Sequence, residues 1–391
     1  MPGFGLDTLG LLVVVGLVGP LLASIPHLRV PVVVGELLIG IVLGRTGFGV
    51  IDDTNPTLVL LANVGFALVM FVVGTHVPVH DRTLHSAIPW ALARAVLVGA
   101  VAAGLGAGIA AIFSTAHAAL YAVLMASSSA AVALPVIDGL GLKKGPQVLS
   151  VTAQIAIADT ACIVLLPLVI DPSRAPKAAL GTVAVAACAG VVYVVLWYAN
   201  RKGWRKRLHH ISEEHRWAME LRISLAILFG LSALAAKTHV SIMLAGFALG
   251  LVLAAIGEPR RLARQLFGVT EGFFSPLFFV WLGASLQVRD LGAHPWLILL
   301  GVALGVGAVI AHAAGSVLKQ PPALAILSAA QLGVPVAAAT IGTQTHLLRP
   351  GEPAALMLGA LLTIAATSVA GITVTRVKSA APESDPQSGQ K

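Results

Sequence analysis

The chain has 391 residues, 57% of them hydrophobic and 11% charged, with a formal net charge of +8. Its mean hydropathy is +0.92 and its isoelectric point about 9.9. With 25 basic and 17 acidic residues, it has too little polar surface for a soluble fold of this size, which excludes a soluble globular enzyme, a disordered chain and a nucleic-acid-binding domain.

A bilayer is the natural solvent for such a chain, and a membrane helix needs about 20 apolar residues. The apolar runs define thirteen spans in chain order: 6–25, 28–44, 57–77, 87–113, 116–137, 147–170, 177–199, 216–236, 239–256, 268–286, 294–317, 322–346 and 353–376. The expected fold class is therefore an all-α integral membrane protein of about 13 transmembrane helices. The amino terminus, Met1-Pro2-Gly3-Phe4, lacks the positive region of a signal peptide, so the first run reads as a retained helix. Segment 200–216, rich in Lys and Arg and carrying His209, His210 and His215, reads as a solvated loop. Residues 379–391, rich in Ser, Pro and Gln, read as a short disordered tail.

The basic residues test this division. The loops after spans 1, 3, 5, 7, 9 and 11, with the carboxyl terminus, hold Arg29, Arg82, Lys143, Lys144, the run from Arg201 to Arg216, Arg260, Arg261, Arg264, Lys319, Arg376, Lys378 and Lys391. The opposite side holds only Arg45, Arg174, Lys177, Lys237, Arg289 and Arg349. Because basic loops stay cytoplasmic, this asymmetry predicts an outside amino terminus and a cytoplasmic carboxyl terminus. The expected location is the plasma (inner) membrane. Spans 1–6 and 8–13 form two sets offset by seven spans, which predicts two inverted repeats.

Ionisable groups are expensive in a bilayer, so the deep ones are informative. Asp159 lies near the middle of span 6, too far from either end to reach water. A carboxylate there binds a cation when ionised and a proton when neutral, which is the minimal device for exchange. The bland alternative is a buried Asp bonded to a helix break. Span 5 carries Ser127, Ser128 and Ser129 ahead of Pro135, a weak-helix pattern whose hydroxyls can satisfy freed carbonyls or coordinate an ion. Span 12 has the matching sequence Ser328-Ala-Ala-Gln331-Leu-Gly333-Val-Pro335. Paired interruptions in corresponding segments point to a transport site. Ser127, Ser128, Ser129 and Thr152 are the candidate oxygen donors around a monovalent cation at Asp159.

His312 in span 11 is either a proton relay or a packed polar residue. Arg94 in span 4 neutralises a half-helix end or a carboxylate, or reaches the interface. Gln331 is a further accessory candidate. Glu36 and Glu271 lie nearer the interfaces, and Asn63 reads as a cross-helix hydrogen-bonding residue. Cys162 and Cys188 read as small core residues. No His-Glu-x-x-His, Gly-x-Ser-x-Gly or Walker-type phosphate loop is present, so the expectation is no enzyme activity and no cofactor.

Several stretches resemble the cation:proton antiporter family, in its branch of potassium-efflux-type and bacterial sodium/proton exchangers. They are Leu28 to Gly44, Leu61 to Gly74, Ser127 to Leu134, and Phe274-Ser-Pro-Leu-Phe-Phe-Val-Trp-Leu-Gly-Ala-Ser-Leu286. The resemblance implies an exchanger domain over 1–378. It comprises a core with two crossed discontinuous helices (87–170 and 294–376) and a dimerisation or scaffold domain (6–77 and 216–286). It also implies a homodimer, places Asp159 on the family's ion-binding aspartate, and puts His312 about where electrogenic members carry a lysine. This chain departs from the family at Ala158, where a polar partner is usual, and at Gln331-Leu332-Gly333. The expected function is secondary antiport of a monovalent cation against protons. The rival expectations are a sodium-coupled organic-anion symporter and a non-transporting membrane sensor. Membrane lipids are the expected partners, with no nucleic acid.

Overall fold

The computed structural model describes residues 5–25, 32–75, 77, 82–139, 145–215, 217–238, 240–257, 260–345 and 347–380. Arg29, Lys143, Lys144, Arg216 and residues 381–391 lie outside the described residues. Every regular element among the described residues is helical. The first span is α1 (Leu6–Gly16) and α2 (Val18–Ala23), followed by α3 (Val32–Leu43), α4 (Pro56–Thr75) and α5 (Arg82–Ile112). Next come α6 (Ala118–Ala126), α7 (Ala130–Gly139), α8 (Pro146–Ile170), α9 (Ala175–Arg201) and α10 (Trp204–Glu214). Then follow α11 (Met219–Lys237), α12 (Ile242–Ile256), α13 (Arg260–Val269), a π turn at Thr270–Phe274, α14 (Ser275–Ser285) and α15 (Val288–Ala293). The last are α16 (Pro295–Ala313), a 3₁₀ turn at Ala314–Leu318, α17 (Pro322–Leu327), α18 (Gly333–Gln344) and α19 (Glu352–Ala380).

Among the described residues, nine helical segments are long and apolar enough to cross a membrane. The apolar helices α3 and α12 are shorter, and the segments expected at 116–137 and 322–346 are each interrupted. The outer faces are apolar as a bilayer requires: Leu180, Val183 and Val194 of α9 and Leu299 and Val306 of α16 remain exposed.

Two expectations are corrected. Segment 200–216 contains a helix, α10, rather than an extended loop. Its polarity suits a helix lying along α9 and α11 at the end of the bundle rather than through it. Of the tail expected at 379–391, the first two residues belong to α19, which runs to Ala380.

Helices α5, α6, α8, α16, α17, α18 and α19 pack on one another, while α3, α4, α12 and α14 pack on one another. In the second group small residues let backbones touch. A side chain on Gly250 of α12 would overlap the carbonyl oxygen of Phe71 on α4, and one on Gly283 of α14 would overlap that of Leu37 on α3. Such close crossings gain dispersion contact where lipid offers no hydrophobic drive between helices.

Candidate functional site

Both sequence irregularities are helix breaks. The first runs over Ser127, Ser128 and Ser129, between α6 and α7. The second runs from Ser328 to Leu332, between α17 and α18. The prolines that signalled them do not form them. Helix α7 continues through position 135, and Pro335 sits in the first turn of α18, where a missing N–H leaves no bond unmade. The break-forming residues are those whose side chains bond backbone.

The two breaks are bonded to each other. The Ser129 N–H donates to the Ala330 carbonyl at 2.7 Å. The Ser128 hydroxyl donates to the Ser328 carbonyl at 2.7 Å. The Ser127 hydroxyl turns back to the Leu124 carbonyl at 2.7 Å. That same carbonyl accepts from Gln331 Nε2 at 2.7 Å, and the Gln331 N–H donates to Thr363 Oγ1 at 3.1 Å. Carbonyls and amides freed by the interruptions are thus met by side chains, as an apolar medium demands.

Asp159 comes from α8 to this junction. Its Oδ2 accepts the backbone N–H of Ala130, the first residue of α7, at 3.2 Å. The carboxylate therefore lies at the positive end of a half-helix, where negative charge is favoured. It is 4% exposed, and Ser127, Ser128 and Ser129 are equally enclosed. A hydroxyl that donates to a carbonyl keeps lone pairs for a cation, so the serines remain competent oxygen ligands.

His312 reaches the junction from α16, fully buried. Its Nδ1 lies 3.0 Å from Ser328 Oγ, whose own proton goes to the Ala325 carbonyl at 2.7 Å. Nδ1 is therefore the donor in the His312 contact. The backbone of Met125 and Ser127, at the carbonyl end of α6, flanks the ring.

Other predicted residues lie elsewhere. The Thr152 hydroxyl bonds the Val148 carbonyl at 3.0 Å, on the same helix and about 10 Å along it from Asp159. The structure does not bring it to the junction. Arg94 donates to Ser150 Oγ at 2.8 Å and to the Leu318 carbonyl at 3.0 Å, capping the 3₁₀ turn after α16 instead of facing Asp159. Glu36 is buried on α3, Asn63 is half-buried on α4, and Glu271 is exposed in the π turn. Cys162 is buried as expected, but Cys188 is exposed on α9, so it is not a core residue. His210 pairs with Glu214 and His215 with the Ile211 carbonyl, both within α10 or at its end.

Sequence reasoning passed over two polar features. Gln320 Nε2 donates to Gln154 Oε1 at 3.0 Å in a buried pair. Glu352, fully buried, accepts from Tyr121 and His117 at 2.7 and 2.8 Å. The available signal was a glutamate between Gly351 and Pro353 at a span boundary, which reads as an ordinary helix start.

These features define a polytopic integral membrane protein organised around two interrupted helices that meet beside a buried carboxylate. The profile of the sodium/hydrogen exchanger transmembrane family matches residues 12–379, and the chain belongs to that family. It is 24% identical over 298 residues to the Na(+)/H(+)-K(+) antiporter GerN of Bacillus cereus, covering 73% of this chain and 72% of GerN. It is 27% identical over 303 residues to the Na(+)/H(+) antiporter NhaS5 of Synechocystis, covering 75% of this chain and 42% of NhaS5. It is 24% identical over 365 residues to the glutathione-regulated potassium-efflux protein KefC of Salmonella typhimurium, covering 89% of this chain and 57% of KefC. The chain thus spans less than two thirds of the last two relatives. Its fold is similar to that of the sodium proton antiporter MjNhaP1 from Methanocaldococcus jannaschii, with a TM-score of 0.59, 15% identity, and coverage of 95% and 96% of the two chains.

Proposed function

We propose that the protein is a secondary antiporter exchanging a monovalent cation, Na⁺ or K⁺, for H⁺ by alternating access. The carrying observation is the Asp159 carboxylate held on the Ala130 N–H where two helix breaks are bonded together. Asp159 binds the cation and the proton in turn, because one buried carboxylate cannot hold both. Ser127, Ser128 and Ser129 supply further oxygens, while His312 and Gln331 hold the junction in shape. One carboxylate, with no fixed cation beside it among the described residues, gives one proton per monovalent ion.

The family membership and the antiporter names of the relatives support this reading. The separate packing of α5–α8 with α16–α19, against α3, α4, α12 and α14, supports a core moving beside a scaffold. The same reading takes the two halves as inverted repeats and the protein as a homodimer in the plasma membrane. Its amino terminus is outside and its carboxyl terminus cytoplasmic, on the grounds of loop charge.

The test is cation-dependent proton flux in liposomes holding the purified protein, with Na⁺, K⁺ and Li⁺ offered separately. Wild type exchanges at least one of them and Asp159→Asn does not. Undiminished exchange by the variant removes Asp159 from the mechanism.

A further inference from the structure

Glu352 is more deeply enclosed than Asp159, at 0% against 4% exposure, yet it lies at the end of the bundle and not at the junction. It is the first residue of α19. Its Oε1 accepts the Tyr121 hydroxyl at 2.7 Å and His117 Nδ1 at 2.8 Å. Its Oε2 accepts the Arg349 backbone N–H at 3.0 Å. Three donors directed at one carboxylate are the environment of an ionised acid.

His117 precedes α6 as its N-cap residue, and its ring keeps 21% exposure. It therefore connects a buried carboxylate to water. The Arg349 guanidinium closes a third contact, from Nη2 to the Ser114 carbonyl at 3.2 Å. These bonds join the turn between α5 and α6 to the turn between α18 and α19. Helices α6 and α18 are halves of the two different interrupted helices, so one cluster fastens both.

We infer that His117 and Glu352 form a second proton-binding site, a charge clasp that fastens α6 to the α18–α19 turn and sets the pH window of exchange through Asp159. The inference rests on the antiport reading above. Only a proton moves: the imidazolium releases it to water from a ring nitrogen and takes it back there. With the ring charged, the contact is an ion pair with a charge-assisted hydrogen bond. With the ring neutral, the carboxylate keeps the Tyr121 and Arg349 donors and at most a neutral N–H from His117. Protonation of the ring thus tightens the clasp and its loss loosens it.

The change reaches the junction through α6. Leu124, two turns after His117, carries the carbonyl that Gln331 and Ser127 hold. Among the described residues, other charged or titratable groups of the elements packed here are these. Arg349 is engaged with Ser114, and α16, packed along α19, has His294 as its N-cap at the Glu352 end and His312 at its far end. On α15, Arg289 donates to the Gly47 carbonyl, and the side chain of Asp290 is outside the described residues. Position 346, in the α18–α19 turn, is also outside them.

The experiment has two arms across pH 5 to 8, flux in liposomes and backbone amide exchange at 113–117 and 347–352 corrected for intrinsic rate. In wild type, protection of both turns falls as pH rises, by about fivefold, the ratio separating a charge-assisted from a neutral hydrogen bond. In His117→Gln, which keeps a neutral donor, protection is flat within about twofold, and the flux profile loses the matching limb at similar maximal rate. Tyr121→Phe lowers protection equally at every pH, the behaviour of a merely structural bond. The same pH dependence of protection in wild type and His117→Gln overturns the proton site. PH-dependent protection that leaves the flux profile unmoved by His117→Gln overturns its control of exchange. A wild type without cation–proton exchange but with pH-dependent protection defeats the transport reading and leaves the site standing.

Discussion

The Ser128 hydroxyl donates to the Ser328 carbonyl at 2.7 Å, joining two helix breaks that lie 200 residues apart in sequence. The acceptor is the carbonyl of Ser328, a fully buried residue at the end of α17. Ser128→Ala leaves that carbonyl unmet, which costs about 1–3 kcal/mol. The expected result is a lower unfolding temperature in detergent, with Ser128→Thr, which restores a hydroxyl, near wild type. An unchanged unfolding temperature in Ser128→Ala would show that the junction does not depend on this bond.

How far this arrangement could be read from sequence depended on the range of the cause. The serine run and the Gln331-Leu332-Gly333 stretch announced two interruptions because weak helix formers act locally. Pro135 and Pro335 mark the neighbourhood of the breaks and not their positions, since a proline signal is local but the bonds that replace the helix are not. Asp159 was legible because charge is scarce in apolar spans. Glu352 was not, because its burial comes from His117 and Tyr121, more than 230 residues away. Thr152 was misplaced for a different reason: its hydroxyl turns back to the Val148 carbonyl of its own helix, about 10 Å along it from Asp159. Helix α10 was hidden by its charge, which reads equally well as loop.

The close crossings predict a sharp size limit at two glycines. Gly250→Val and Gly283→Val place a side chain on the carbonyls of Phe71 and Leu37. Overpacking of this kind costs about 1–3 kcal/mol or more, because the backbones must part. Both variants are expected to unfold at lower temperature. Gly190→Ala on α9, where the added carbon meets open space, is expected to match wild type. Chromatographic recovery after heating in detergent measures all three.

Charge counting predicts the response to voltage. If Asp159 alone carries one cation or one proton, each cycle moves no net charge. Flux in liposomes clamped with valinomycin is then the same at zero potential and at about 100 mV, although that potential is worth about 2.3 kcal/mol per elementary charge moved. A rate that follows the clamp would mean that a second group, such as the His312 that reaches the junction, titrates in the cycle.

Competition for one carboxylate has a definite kinetic form. A proton on Asp159 excludes the cation, so the apparent KM for the cation rises with proton concentration while the maximal rate holds. The limiting dependence is about tenfold in KM per pH unit, since one proton is displaced per cation bound. Below the pH at which the carboxylate is half protonated, log KM against pH should therefore approach a slope of minus one, and above it level off. Initial rates over a matrix of Na⁺ or K⁺ concentrations and pH values measure it. A slope near minus two would require a second proton displaced together with the first, and a flat KM would mean that cation and proton occupy different groups. His117→Gln leaves this slope unchanged, because the clasp at Glu352 alters how readily the core moves and not what Asp159 binds.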